Sequence, residues 1–183
     1  MMKERTELRR EDEMISEYNV RSVRIETRRV VARSHDRSAA GEGGTAVGEV
    51  RVKVKLTNAG DEILVGRGLL AADKVRSYET DALVDTGAVK SVLPIEVAQQ
   101  LGLAIVGRTR AKFAKDSAED VDITEVVGIG INGRRTTEET LVLGSEVLIG
   151  QTVLETLDLF VDPINRRLIP NPEHPDQPVI NIK

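Results

Sequence analysis

The sequence has no cysteine and no tryptophan. Without thiols there is no disulfide framework and no thiolate metal site, and the chain suits a reducing compartment. Aromatic side chains are scarce: Tyr18, Tyr78, Phe113 and Phe160 are all of them. Any core must therefore be aliphatic, built from Val, Leu, Ile and Ala. The histidines, His35 and His174, each stand alone in polar segments with no ligand set around them, so no metal is expected. No apolar run approaches the length of a membrane span. The start, Met1-Met2-Lys3-Glu4-Arg5, has no apolar segment of the kind a secretory signal needs. The expected compartment is the cytoplasm. A net charge of -4 gives no reason to expect a nucleic-acid partner.

What is present divides near residue 47. Residues 1 to 46 are dense in charges of both signs, carry few apolar residues, and end in Ala39-Ala40-Gly41-Glu42-Gly43-Gly44. Such a segment buries too little surface to offset its ordering entropy, and a disordered extension is expected. Propeptide, regulatory tail and misassigned start all fit such a leader. A patterned domain over 47–172 follows, and then a Pro-rich tail over 173–183. The tail closes on Val179-Ile180-Asn181-Ile182, a candidate edge strand.

From Val50 the pattern is regular. Val50, Val52, Val54 and Leu56 alternate with Arg51, Lys53 and Lys55, the signature of a half-buried strand. Asn58-Ala59-Gly60-Asp61 reads as a turn, with Ile63-Leu64-Val65 as the returning strand. Tyr78 to Val84 is the next strand, and Val89 to Leu93 is extended. Pro94 opens a short helix that Gly102 caps. Strands are expected over Arg108 to Ala114, Val121 to Ile131 and Thr136 to Leu143, and Asn132-Gly133 marks a hairpin. Val147-Leu148-Ile149 is an apolar burst stopped by Gly150. A short helix follows, then an extended Leu159-Phe160-Val161. Many short strands with one or two short helices predict a mainly β protein, a small closed barrel in a single lobe. Gly128-Ile129-Gly130 opens no helix after a strand, so a nucleotide loop is not expected. The acidic run Asp116, Glu119, Asp120, Asp122 lacks the alternation of a calcium loop.

One stretch carries chemistry. In Ala82-Leu83-Val84-Asp85-Thr86-Gly87-Ala88 a strand of buried character delivers a carboxylate into a tight turn. Thr86 offers a hydroxyl, and Gly87 omits the Cβ where another backbone must come close. Hydrolysis by carboxylates alone needs two of them, sharing one proton. The chain has one Asp-Thr-Gly.

The order of elements around that turn resembles the retroviral-type (retropepsin-like, clan AA) aspartic proteases, closest to the short bacterial single-lobe type. Asp85-Thr86-Gly87-Ala88 is followed by Ser91-Val92-Leu93-Pro94, a short helix ending Leu101-Gly102-Leu103, a hairpin, and then Leu148-Ile149-Gly150 with a helix behind it. The likeness spans Val47 to Pro172. It implies that Asp85 is the catalytic aspartate of an endopeptidase with no cofactor. It further implies that a homodimer brings two Asp85 carboxylates together across a twofold axis. Thr86, Gly87 and Ala88 would support the turn, and Leu148, Ile149 and Gly150 would back it. Phe113, Ala114, Lys115, Asp116 and Ser117 would form the flap that closes over a peptide or protein substrate. The final strand would join an interface sheet.

The sequence departs from the family at two places. Its flap loop carries no glycine near the tip, and Ala88 cannot donate the hydroxyl bond that Ser or Thr gives in many aspartic proteases. The alternative reading is a non-catalytic module of the same fold that binds peptides or dimerises.

Overall fold

A computed structural model describes residues 49–113 and 117–180. The leader, the loop residues Ala114, Lys115 and Asp116, and the last three residues lie outside this range. So do the expectations that fall on them.

Among the described residues nine strands run in the order β1 (Val50–Asn58), β2 (Ser77–Val84), β3 (Val92–Leu93), β4 (Ile105–Lys112), β5 (Ala118–Ile131), β6 (Arg134–Val142), β7 (Leu148–Ile149), β8 (Leu159–Asp162) and β9 (Arg167–Pro170). Three short α-helices punctuate them among the described residues: α1 (Ala59–Gly66), α2 (Ile95–Gln100) and α3 (Gln151–Thr156). The fold is mainly β, as the sequence predicts.

Strand pairing closes on itself. The sheet order is β1-β2-β7-β3-β6-β5-β4, and β1 also pairs with β5. Six strands therefore form a ring, with β4 attached outside it on β5. Closure removes the exposed edges that an open sheet would present. β8 and β9 form a separate ribbon.

Alternation in β1 places Val50, Val52, Val54 and Leu56 inward and Arg51, Lys53 and Lys55 outward. Leu56 shares one core cluster with Ile129 and Ile131 from β5, Leu93 from β3, and Ile149 from β7, all of them essentially fully buried. Each such side chain contributes about 1.5–3 kcal/mol through removal from water. Leu157, Val153 and Leu154 extend the core from the α3 side. The Asn132-Gly133 hairpin has positive φ at both residues, 50° and 79°, as the two-residue turn between β5 and β6 requires.

The segment after β1 differs from expectation. Asn58 does not start a turn; it caps α1, its side chain accepting a hydrogen bond from Asp61 N at 3.0 Å. Ile63-Leu64-Val65 lies in that helix and is not a returning strand. The partner of β1 is instead β2, paired from Val50↔Val84 to Thr57↔Ser77. Asp61 and Glu62 in the first turn favour the helix through its dipole. The extended stretch expected over Val89 to Leu93 narrows to Val92–Leu93.

The Pro-rich tail is tied to the barrel by Arg134. This buried guanidinium donates to the carbonyls of Leu157 (2.7 Å), Asp158 (2.8 Å), His174 (2.6 Å) and Pro175 (3.2 Å). Val179 and Ile180 are not in a strand within the single chain.

Candidate active site

Asp85 is the first residue beyond β2. Its backbone is fixed from behind, because Asp85 N donates to the Ile149 carbonyl at 3.0 Å. That bond continues the parallel pairing of β2 with β7, Leu83↔Leu148 and Val84↔Ile149. The strand thus carries Asp85 to the end of the ladder and leaves its side chain beyond it, half-buried. The carboxylate Oδ1 accepts from Gly87 N at 2.8 Å. A Cβ on Gly87 would lie 3.1 Å from that same oxygen, tighter than an ordinary contact. Ala88 N donates to the Asp85 carbonyl at 3.2 Å, closing the turn through backbone alone.

The rest of the loop is anchored to α3, to its lead-in and to β6. Gln151 N donates to the Ala88 carbonyl at 2.7 Å. Thr152 meets the Val89 carbonyl twice, by its amide at 3.1 Å and its hydroxyl at 2.8 Å. Gly150 N donates to Ser91 Oγ at 3.1 Å. Ser91 N in turn donates to Glu138 Oε1 at 3.1 Å, and the Ser91 carbonyl accepts from Leu141 N at 3.0 Å. Between Asp85 and Ser91 the loop is thus anchored at Asp85, Ala88, Val89 and Ser91, while Thr86, Gly87 and Val89 remain exposed.

The structure therefore brings Asp85, Gly87 and Ala88 together with Ile149 and Gly150 in one packed unit. Leu148 and Ile149 lie in β7 directly beside β2. Thr86 is exposed, on the rim of a groove of about 650 Å³ that Gln151, Leu154, Phe160, Val179 and Ile180 also line. Phe113 and Ser117 close the base of the β4–β5 loop, with Phe113 N donating to the Ser117 carbonyl at 2.9 Å. Ala114, Lys115 and Asp116 lie outside the described residues.

Sequence reasoning gave Ser91 no role and missed Glu138. Ser91 stands among the quoted motif residues, but only the β3–β6 pairing reveals that its amide needs a side-chain acceptor. Nothing in Thr136-Thr137-Glu138-Glu139 marks one glutamate as buried and the next as exposed. Among the described residues no group of acidic and histidine side chains could hold a metal ion. No described helix is long and apolar enough to cross a membrane.

No protein-family model matches the chain, and no curated protein matches it. Solved structures similar to it include the retroviral protease-like domain of Ddi1 from Leishmania major. That match has 15% identity and a TM-score of 0.44, covering 69% of this chain and 90% of that one. The EIAV protease, solved with the inhibitor HBY-793, is similar at 17% identity and a TM-score of 0.40, over 62% of this chain and 92% of that one.

Proposed function

We propose that the chain is an aspartic endopeptidase whose active site is completed by a second copy of itself. The observation that carries this reading is the setting of Asp85. One carboxylate stands at the end of a closed barrel's ladder, its amide fixed by Ile149 and its Oδ1 by Gly87 N. Such a group is held in place and yet reachable, as a general base must be.

Peptide hydrolysis without a metal or a nucleophile needs a second carboxyl to share the proton. One member of the pair activates water while the other polarises the scissile carbonyl. The sequence contains one Asp-Thr-Gly, so the partner is Asp85 of another copy related by a twofold axis. In this reading Thr86, exposed beside the turn, faces that copy. The β4–β5 hairpin covers a bound peptide, and the substrate is an extended segment of peptide or protein.

The second reading is a peptide-binding or dimerisation module without catalysis. The absence of glycine from Phe113-Ala114-Lys115-Asp116-Ser117 favours it, because a stiff flap tip would close less readily.

The test compares wild type with Asp85→Asn on a diverse peptide library, with sedimentation of both. Cleavage by a dimer that disappears in the variant is the expected result. Cleavage that persists in Asp85→Asn removes Asp85 from the chemistry, and cleavage by a strict monomer removes the shared site. Peptide capture by both proteins without cleavage by either selects the second reading.

A further inference from the structure

Behind the Asp85 turn sits a carboxyl group that the proposed chemistry does not use. β6 turns Arg134, Glu138 and Thr140 inward, and Glu138 is only 9% exposed. Its Oε1 meets Ser91 N at 3.1 Å. Its Oε2 is enclosed and takes no hydrogen bond from a described residue. A buried carboxyl with one unmet oxygen is a costly occupant of a barrel wall that an apolar side chain would fill more cheaply. What it offers in return is an acceptor for one backbone amide.

That amide matters because of where it lies. The parallel pairing of β3 with β6 starts at Val92↔Leu141 and supplies Leu141 N to the Ser91 carbonyl. Ser91 N lies beyond the ladder, and the Glu138 side chain meets it there. Ser91 is fully buried, and its Oγ accepts from Gly150 N at 3.1 Å. Gly150 follows Ile149, whose carbonyl holds Asp85 N. The path Glu138–Ser91–Gly150–Ile149–Asp85 thus consists of hydrogen bonds and one covalent step.

We propose that Glu138 is a positioning residue for the Asp85 turn. It fixes Ser91, Ser91 fixes Gly150, and β7 then holds Asp85 at the angle the reaction needs. Glu138 touches no reacting atom. Its kinetic consequence rests on the aspartic-protease reading; its structural consequence does not.

The experiment uses the full chain, with Glu138→Gln, which keeps the acceptor, and Glu138→Leu, which keeps the bulk alone. Amide hydrogen exchange is read at Ser91, Gly150 and Asp85 against the β1–β5 ladder amides of the same protein. In Glu138→Leu the three site amides exchange about tenfold faster relative to the ladder, and in Glu138→Gln they stay within about threefold of wild type. Ser91→Ala cuts the same path one step later: Gly150 and Asp85 speed up while Ser91 N stays slow. Site amides that follow the ladder in Glu138→Leu, or a Gln variant as loose as the Leu variant, overturn the proposal. So does a Gly150 amide that stays slow in Ser91→Ala.

On a cleaved peptide, Glu138→Leu lowers kcat about tenfold or more with little change in KM, and Glu138→Gln restores it. An unaltered kcat overturns the positioning role. A wild type that cleaves nothing defeats the catalytic reading, and the exchange data then decide the positioning claim by themselves.

Discussion

Gly150 lies so close to Lys90 that a Cβ on it would stand 2.6 Å from the Lys90 carbonyl carbon and 2.7 Å from its oxygen. These are backbone atoms of the loop that carries Asp85, and no side-chain rotation relieves the clash. Gly150→Ala must push the two segments apart, at a cost of about 1–3 kcal/mol typical of overpacking. Urea unfolding checks the loss of stability. In an active preparation the same variant loses most of its cleavage rate, since the Asp85 amide and the Gly150 amide are displaced together.

Arg134 is the second expected weak point. Its two terminal nitrogens serve carbonyls of Leu157, Asp158, His174 and Pro175, joining the end of α3 to the tail. Lysine has the charge without the fork, so Arg134→Lys leaves part of that set unmet. We expect a loss of about 2 kcal/mol and faster proteolytic nicking within 172–180. A Lys variant as stable as wild type would show that the fork geometry is dispensable.

The acid limb of stability has an identifiable contributor in Asp61. Arg76 donates to it from Nη2 at 2.6 Å, from Nε at 2.7 Å and from its backbone amide at 3.0 Å. The Arg76 side-chain bonds hold the Asp61 carboxyl below its ordinary value of 3.8, against the opposing effect of burial. With the folded value depressed, the unfolded chain binds the extra proton first. The stabilisation is complete above the unfolded value and is lost as pH falls through the folded one. Asp61→Asn should therefore be less stable at neutral pH by about 2 kcal/mol. Its unfolding free energy should also fall less steeply below about pH 4. Parallel pH curves for the two proteins would exclude this source.

Asp158 makes a comparable prediction for the tail. Asn171 donates to its Oδ1 at 2.9 Å, and the His174 ring lies 2.8 Å from Oδ2. The Asn171 bond foremost, and His174 after it, hold the Asp158 carboxyl below the usual range. By the same sign, the tail is held best above the ordinary carboxylate value and loosens as Asp158 protonates. Exchange at the Val179 amide, which Asp158 Oδ2 accepts at 3.3 Å, reads this directly. The protection factor at that amide, which removes the intrinsic pH dependence of exchange, should fall on acidification in wild type and stay flat in Asp158→Asn.

The barrel was legible where one face is wet and the other dry. β1 reads off its alternating Val and Lys, and the β5–β6 hairpin off Asn132-Gly133, because burial and turn sterics leave few alternatives there. α1 was not legible for two reasons. Asn, Gly and Asp serve helix caps and turns alike, so Asn58-Ala59-Gly60-Asp61 suits either. Three consecutive apolar residues suggest a strand, yet Ile63 and Leu64 are 55% and 39% exposed on a helix that lies on the surface. Within the site, Asp85 announces itself by its motif and Gly150 by the apolar run it ends. Glu138 does not, since its burial depends on pairing between strands distant in sequence.

The β4–β5 hairpin pairs beyond the ring. β6 accompanies β5 only from Asp122↔Val142 onward, so Ala118 to Val121 have β4 as their partner strand. Both register irregularities fall where this ribbon joins the barrel, between Ile105 and Gly107 on β4 and between Ile123 and Val126 on β5. Were the ribbon to pivot there, the bulges would be its fulcrum and the ribbon a lever arm. From Gly107 to Lys112 the arm is about 17 Å at strand rise, so a rotation of about 10° at the fulcrum carries Lys112 about 3 Å.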